Sequence, residues 1–457
     1  MAAFGTSGLR GLATDLTDGL CATYAAAFVA LHDHNGTLMI GRDRRDSSPR
    51  ITRAVAAGAR SEGLEVVDCG VLPTPALALA AAKAGTVAIM VTGSHIPADR
   101  NGLKFYTRAG EFTKADEGPL RDAVASLQAP AVASVDVAAD DAARQDYVVR
   151  NIGGFPPGVL AGLRIGVWLH SSAASEVLPE ILDGLGATVV GLGASRDFIS
   201  VDTEAVDGET RTRLAGWVSE HGLDAIVSTD GDADRPLLVD DRGHVIPGDI
   251  LGLITARRLG ADEVVTTVSA NTMVDLMNTF SLVSRTRIGS PYIISEMQAR
   301  RAAGTKVAGY EPNGGFLLGW DAGNGLTPLM TRDSTLPLVT ALAAAAEAGS
   351  PISALLETLP QRRTATDRLK DVPRERSLAL VDAILDGDVS VLPDGLGELV
   401  STDTTDGARM TFASGRIVTI RPSGNAPELR CYVEAESQTA ADKLLAEGLD
   451  RLRAALG

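Results

Sequence analysis

Ser94 lies in the run Thr92-Gly93-Ser94-His95-Ile96-Pro97, which is followed by Asn101-Gly102-Leu103-Lys104. A serine hydroxyl is a weak nucleophile alone. A nearby imidazole or ammonium activates it or neutralises an anion carried on it. His95 and Lys104 are close enough in sequence for either task. Gly93 leaves the backbone free to turn and Pro97 fixes the exit. Taken alone, the hexapeptide equally fits an ordinary Ser-His loop with a capping hydroxyl. Further along, Asp230-Gly231-Asp232-Ala233-Asp234-Arg235 sets three carboxylates at alternate positions of a glycine-containing loop. Such a set can converge on one hard cation such as Mg²⁺. The short spacing and the missing downstream glutamate put a calcium loop second, and a solvated acidic turn is the plain alternative.

Two other stretches carry recognition chemistry. In Gly309-Tyr310-Glu311-Pro312-Asn313-Gly314-Gly315, Glu311 and Asn313 are two apart, so an extended backbone points both one way. A carboxylate and an amide together read sugar hydroxyls by paired hydrogen bonds, although Gly/Asn/Pro clusters are commonly turns. In Arg421-Pro422-Ser423-Gly424-Asn425-Ala426-Pro427-Glu428-Leu429-Arg430, a guanidinium, a hydroxyl and free backbone N–H groups make a phosphate cradle or, in isolation, a hairpin turn.

The elements that must position these loops recur three times. Strand Thr37–Ile40, a helix around Arg50 to Glu62, strand Leu64–Val67 and a helix near Pro75 to Lys83 lead to Thr86–Val91, the apolar strand before Ser94. Strand Leu163–Leu169, a helix near Ser175 to Leu185, strand Ala187–Val190 and a helix near Arg213 to His221 lead to Asp224–Ser228, before Asp230. Strand Glu263–Val268, a helix near Asn271 to Phe280, strand Leu282–Arg285 and a helix near Tyr292 to Ala303 lead to Lys306–Gly309, before Glu311. Strand-helix alternation at this spacing predicts βαβ units with largely parallel pairing, and open α/β sheets place ligands at strand ends. Three loops at equivalent positions would face one cleft. Arg368 to Gly457 alternates differently and reads as an α+β unit ending in a helix from Thr439 to Leu456.

The chain has 457 residues, too many for one core. Its 58 acidic and 42 basic residues give a net charge of -16, which argues against nucleic acid or an acidic membrane as partner. An anionic substrate then needs a locally basic pocket. Cys21, Cys69 and Cys431 are widely spread, without metal spacing, as expected of a reducing cytoplasm. Met1-Ala2-Ala3-Phe4-Gly5 lacks the charge-then-apolar order of a signal peptide, and no charge-free apolar run approaches membrane-spanning length.

Thr92 to Pro97 with Asn101 to Lys104 resembles the phosphoserine loop of the α-D-phosphohexomutases, the phosphomannomutase and phosphoglucomutase family. Thr6-Ser7-Gly8-Leu9-Arg10-Gly11 resembles the family's N-terminal segment, and Gly41-Arg42-Asp43-Arg44-Arg45-Asp46-Ser47-Ser48-Pro49 another, with Ser48 as a helix cap before Pro49. The Asp230, Glu311 and Arg421 loops follow in family order, so the resemblance spans Thr6 to Arg430. It implies three related α/β/α units with mixed, largely parallel sheets and a smaller α+β C-terminal domain, around a central cleft. The expected divisions are 1–140, carrying the phosphoserine loop, 141–248 for metal, 249–363 for sugar and 364–457 for phosphate, with Pro130 to Ala143 as a linker.

The resemblance also implies roles. Ser94 carries the phosphoryl group, and Ser94, Asp230, Asp232 and Asp234 hold Mg²⁺. Arg10 lies beside the phosphoserine and Arg235 faces the phosphate. Glu311 and Asn313 take the sugar, and Arg421, Ser423, Gly424, Asn425 and Arg430 the substrate's phosphate side. Lys104, in an expected cationic pocket, handles the proton; His95 either takes part or braces the loop. Four departures stand out: Asn313 where the family has serine, Phe316 where many members have histidine, Asn425-Ala426 where the family's phosphate loop has Thr-Glu, and Gly289-Ser290-Pro291-Tyr292 without the usual basic residue. The expected reaction interconverts hexose 6- and 1-phosphates through a hexose 1,6-bisphosphate, with mannose phosphate preferred over glucose or glucosamine phosphate, in a monomer or homodimer. A Mg²⁺-dependent phosphatase with Asp230 as nucleophile, or an inactive sugar-phosphate-binding protein, are the rival classes.

Overall fold

A computed structural model describes residues 2–5, 8–128, 130, 137–301, 304–423 and 427–457. Four sheets follow one another along the chain. The first runs Ala3–Phe4, Leu9–Leu12, Arg100–Thr107, Val87–Val91, Thr37–Arg42, Glu65–Val71, with Gly110–Glu111 paired to Arg100–Thr107. The second runs Val245–Ile246, Pro236–Val239, Ala225–Thr229, Arg164–Trp168, Thr188–Leu192. The third runs Leu282–Thr286, Glu263–Thr267, Val307–Tyr310, Phe316–Leu318, Leu329–Asp333.

In each of these sheets three strands are parallel and the remaining strands extend the sheet antiparallel. Val87–Val91, Ala225–Thr229 and Val307–Tyr310 occupy the same place in all three. Each has a parallel neighbour on one side and an antiparallel return strand on the other. The loops carrying Ser94, Asp230 and Glu311 therefore leave three equivalent strand ends.

Burial explains the uniformly apolar strand before Ser94. Val87, Ile89 and Val91 enter one core with helices Asp18–Leu31 and Ser48–Ser61, while Ala88 and Met90 enter another with helix Thr74–Ala84. A strand covered on both faces has no polar side to present. The core under Thr74–Ala84 continues into the second and third units through Ile165, Val227, Leu253 and Leu342.

The fourth unit has its own core. Its sheet, Arg363–Lys370, Glu428–Ala435, Ile417–Pro422, Ala408–Phe412, Leu399–Asp403, is antiparallel throughout. Leu429, Cys431 and Val433 pack with helices Arg374–Leu385 and Gln438–Leu456. The alternate positions Arg430, Tyr432 and Glu434 point to the opposite face. Tyr432, Glu434, Thr366 and Thr419 of that face line a cavity of about 930 Å³ shared with the second and third units. The fourth unit thus meets the others through a polar sheet face.

One expected helix is shortened. Asn271 to Phe280 forms only the turn Met273–Leu276. Asn271 Oδ1 caps the Met273 N–H at 2.8 Å, and Asn278 adopts a left-handed φ of 50° that ends the run. Among the described residues no helix is long and apolar enough to cross a membrane.

Candidate active site

Ser94 is buried and holds a left-handed φ of 53°. For a non-glycine residue this conformation costs about 1–2 kcal/mol. Side chains of the 41–49 segment hold it there. The Asp43 carboxylate accepts from Thr92 Oγ1 at 2.7 Å and the Gly93 N–H at 3.2 Å, and Thr92 Oγ1 accepts the Ser94 N–H at 2.7 Å. Arg45, fully buried, donates to the carbonyls of Ser94, Ile96, Pro97 and Arg100 at 2.8, 2.6, 2.6 and 3.0 Å. A Cβ on Gly93 would meet Arg45 Cζ at 2.5 Å, so only glycine lets the guanidinium pass beneath the loop. Arg10 reaches the same loop, donating to the Thr92 carbonyl. The expected Ser48 cap is corrected: Ser48 donates to Asp43 Oδ1 at 2.6 Å, and helix Ser48–Ser61 has no side-chain cap. The segment works as a brace for the Ser94 loop.

The Asp230 loop closes on itself, with Asp230 Oδ1 accepting the Asp234 and Arg235 N–H groups at 3.2 Å each. This turns all three carboxylates inward, and they bring one ligand oxygen each to within 4.8 Å of one another. Ser94 Oγ donates to Asp230 Oδ2 at 2.7 Å. Asp232 Oδ2 accepts from Thr74 Oγ1 at 2.6 Å and Lys104 Nζ at 2.5 Å, and Asp234 Oδ2 accepts from Lys104 Nζ at 2.6 Å. Asp232 Oδ1 and Asp234 Oδ1 are buried without a hydrogen-bond partner. Buried carboxylate oxygens rarely stay unpaired, and an all-oxygen donor set suits a hard divalent cation. The residues present therefore fit Mg²⁺.

Charge crowding divides the three carboxylates. Burial, with Asp232 and Asp234 adding repulsion, pushes Asp230 well above the usual range. Burial also opposes ionisation of Asp234, but Arg332, Lys104 and Arg235 outweigh it and hold that carboxyl below the usual range. Lys104 is not in the cationic pocket expected of it; it lies between two carboxylates. His95 Nδ1 is 3.4 Å from Ser94 Oγ. Burial and the Arg235 charge push its imidazole down to about 3, so it is neutral near pH 7. Arg235 is tucked against Asp234, its Nε 3.7 Å from Oδ1.

Glu311 and Asn313 do not lie on an extended segment. Gly314 N–H donates to the Glu311 carbonyl at 2.9 Å, which makes 311–314 a turn, and Asn313 Oδ1 is occupied by the Gly315 N–H at 3.0 Å. The two side chains thus lack the shared direction that an i, i+2 spacing gives a strand. Glu311 is fixed instead by Arg332, which donates to Glu311 Oε1 at 3.3 Å and, through Nε and Nη2, to Asp234 Oδ2 at 3.0 and 2.7 Å.

Arg332 escaped the sequence reading. Its signal is a charged pair, Arg332-Asp333, inside a buried strand, where each charge must find a partner. Arg332→Met leaves two buried carboxylates short of a partner. The variant should be about 3–5 kcal/mol less stable to urea, with Mg²⁺ restoring part of the loss. A loss below about 1 kcal/mol would show that the bridge carries little stability.

At the C-terminal unit, Arg421 and Arg430 are cross-strand neighbours. Each pairs within its own unit, Arg421 Nε 3.2 Å from Asp406 Oδ2 and Arg430 Nη2 3.3 Å from Glu428 Oε2. The loop at Ser423 is closed by its N–H on the Glu428 carbonyl at 2.8 Å. Gly424 and Asn425 lie outside the described residues, as do Thr6 and Ser7. The structure brings Ser94, His95, Lys104, Arg10, Asp230, Asp232, Asp234 and Arg235 together, and joins Glu311 to them through Arg332. The charges of Arg430 and Arg235 both act on Glu204, whose carboxyl burial and Asp202 push up to about 7.

Comparison with known proteins bears on this arrangement. Four family descriptions match in order: Phosphoglucomutase/phosphomannomutase, alpha/beta/alpha domain I at residues 1–129, domain II at 157–243, domain III at 247–363, and the C-terminal domain at 367–450. A phosphomannomutase of Sinorhizobium fredii is 45% identical, covering 99% of this chain and 99% of the relative. A phosphomannomutase of Salmonella muenchen is 41% identical, covering 99% of this chain and 96% of the relative. Among solved structures, a phosphoglucomutase/phosphomannomutase family protein from Burkholderia thailandensis superposes with a TM-score of 0.76 at 20% identity, covering 98% of this chain and 97% of that one.

Proposed function

The chain belongs to the phosphoglucomutase/phosphomannomutase family, and on that premise we propose that it is a phosphohexomutase working through a phosphorylated Ser94. The reaction interconverts a hexose 6-phosphate and a hexose 1-phosphate by way of a hexose 1,6-bisphosphate. The observation that carries this reading is the Ser94 hydroxyl, its loop braced by Arg45 and Asp43 and the hydroxyl aimed at Asp230 2.7 Å away, beside two buried carboxylate oxygens without a hydrogen-bond partner. Mannose phosphate is the substrate of first choice, because the relatives at 45% and 41% identity over almost their whole length are phosphomannomutases.

Each residue then has a task. Ser94, Asp230, Asp232 and Asp234 are the residues that would hold Mg²⁺, which when bound supplies positive charge to the phosphoryl group in transfer. Arg10 and Arg235 add fixed positive charge at the same place. Lys104 neutralises two of the three carboxylates; its ammonium lies where it braces the loop, and a proton-transfer role requires it to leave them. His95, neutral and 3.4 Å from Ser94 Oγ, braces the loop, since burial and the Arg235 charge oppose its gaining a proton. Glu311 accepts from sugar hydroxyls, while Asn313 keeps its N–H₂ for donation. Arg421 and Ser423, with Gly424, Asn425 and Arg430, anchor the phosphate that is not reacting. Divisions at 140, 248 and 363 are the working boundaries of the four domains.

Coupled assays with mannose, glucose and glucosamine 1-phosphates, each with a trace of the matching 1,6-bisphosphate, test the reading. The highest kcat/KM is expected for mannose 1-phosphate, without inorganic phosphate release. Stoichiometric phosphate release would mark a phosphatase, and inactivity with all three would mark a binding protein.

A further inference from the structure

The tip of the hairpin between strands Leu399–Asp403 and Ala408–Phe412 joins the fourth unit to the third through the Asp406 carboxylate and the Thr405 carbonyl. Asp406 Oδ2 accepts the Ile288 N–H at 3.1 Å and lies 3.2 Å from Arg421 Nε. Beside it, the Thr405 carbonyl accepts from Arg287 Nε at 3.1 Å. The pair is largely shielded, with side-chain exposures of 10% for Arg421 and 19% for Asp406. Gly407 adopts a φ of 89°, and a Cβ there would meet Arg421 Cβ at 2.7 Å, so the tip is seated against the arginine.

Two features set this ion pair apart from a structural one. Arg421 Nε makes no well-directed hydrogen bond, so it is charge that ties this guanidinium to the carboxylate, which the Ile288 N–H positions. Arg287 is engaged by the Thr405 carbonyl, and residues 288–294 hold no lysine or arginine, so Arg421 is the guanidinium that Asp406 neutralises. A carboxylate and a phosphate oxygen compete for one guanidinium, and the more highly charged phosphate makes the stronger charge-assisted bond.

We propose that Asp406 is a positioning residue that stands in for the substrate's phosphate at Arg421 and yields the guanidinium when phosphate arrives. It thereby sets the affinity of the phosphate site and links that site to the contact with Ile288. This rests on the reading of Arg421 as a phosphate anchor.

Asp406→Asn removes the charge but keeps an oxygen for the Ile288 N–H. With inorganic phosphate as the probe, its inhibition constant and the KM for hexose phosphate should both fall about fivefold, an effect a merely structural role would not produce. Asp406→Glu restores the charge and should stay within about twofold of the parent. An inhibition constant unchanged or raised in a folded Asp406→Asn protein overturns the proposal. As a second measurement on the parent enzyme, saturating phosphate should speed hydrogen exchange at the Ile288 amide; unchanged exchange also overturns it. Arg421→Ala separates the two levels. If it leaves phosphate inhibition unchanged, the anchor reading itself falls. If it weakens inhibition while Asp406→Asn has no effect, only the role of Asp406 falls.

Discussion

Ser94→Ala is expected to lose mutase turnover by about 10⁴-fold or more, because the hydroxyl that would carry the phosphoryl between the two ends of the sugar is gone. The neighbouring hydroxyls are already engaged: Thr92 Oγ1 donates to Asp43 and Thr74 Oγ1 to Asp232. The loop itself should survive the change. Arg45 grips it by backbone carbonyls and Asp43 by Thr92 and Gly93, none of which needs the Ser94 hydroxyl. The left-handed φ of 53° is as costly for alanine as for serine, so the melting temperature should shift by a few degrees at most. Intact-mass spectra decide the chemistry. The parent incubated with hexose bisphosphate should gain one phosphate-sized increment that the variant lacks. A Ser94→Ala protein with near-parental activity would remove Ser94 from the reaction.

What could be read in the sequence was local. The strands before Ser94, Asp230 and Glu311 announce themselves as short apolar runs, because both of their faces are covered. The Asp triplet is legible because alternate carboxylates in a turn have few other uses. Geometry that depends on distant partners was not legible. Arg332 meets Asp234 from 98 residues away and Arg45 meets Ser94 from 49, and no periodicity encodes either pairing. The surroundings of Lys104 were misjudged for the same reason: the carboxylates beside it come from another unit, 128 and 130 residues on. The Glu311 turn was missed because its i, i+2 spacing means one thing in a strand and another in a four-residue turn closed by the Gly314 N–H. The return strands of each sheet, such as Arg100–Thr107, went unread since a run holding Arg100, Asn101 and Lys104 does not look buried; the Asn101 amide N–H₂ and the Lys104 ammonium find their partners on other loops and units.

Asp232→Asn should weaken Mg²⁺ binding by about 10- to 100-fold and slow turnover at fixed Mg²⁺, with the fold kept. The reason is that the two oxygens of Asp232 face different demands. Oδ2 accepts from Lys104 Nζ and Thr74 Oγ1, while Oδ1 is buried, unpaired and part of the carboxylate cluster. An asparagine has one oxygen for these two directions. If it faces Lys104, its N–H₂ points into the cluster as a donor where an acceptor is needed. If it faces the cluster, the N–H₂ meets an ammonium and a hydroxyl, and two donors oppose one another. Either rotamer loses a contact, and both lose a unit of negative charge. Folding should tolerate the change, because Lys104 keeps Asp234 and removing one carboxylate relieves the crowding that pushes Asp230 up. Titration with Mn²⁺ followed by electron paramagnetic resonance measures the affinity without reference to turnover, and activity against Mg²⁺ concentration measures the rest. Recovery of activity at high Mg²⁺ is the expected signature. Parental Mn²⁺ affinity in a folded Asp232→Asn protein would mean that the cation, if the enzyme uses one, is held elsewhere, and the Asp230 loop would revert to an acidic turn kept in place by Lys104 and Arg332.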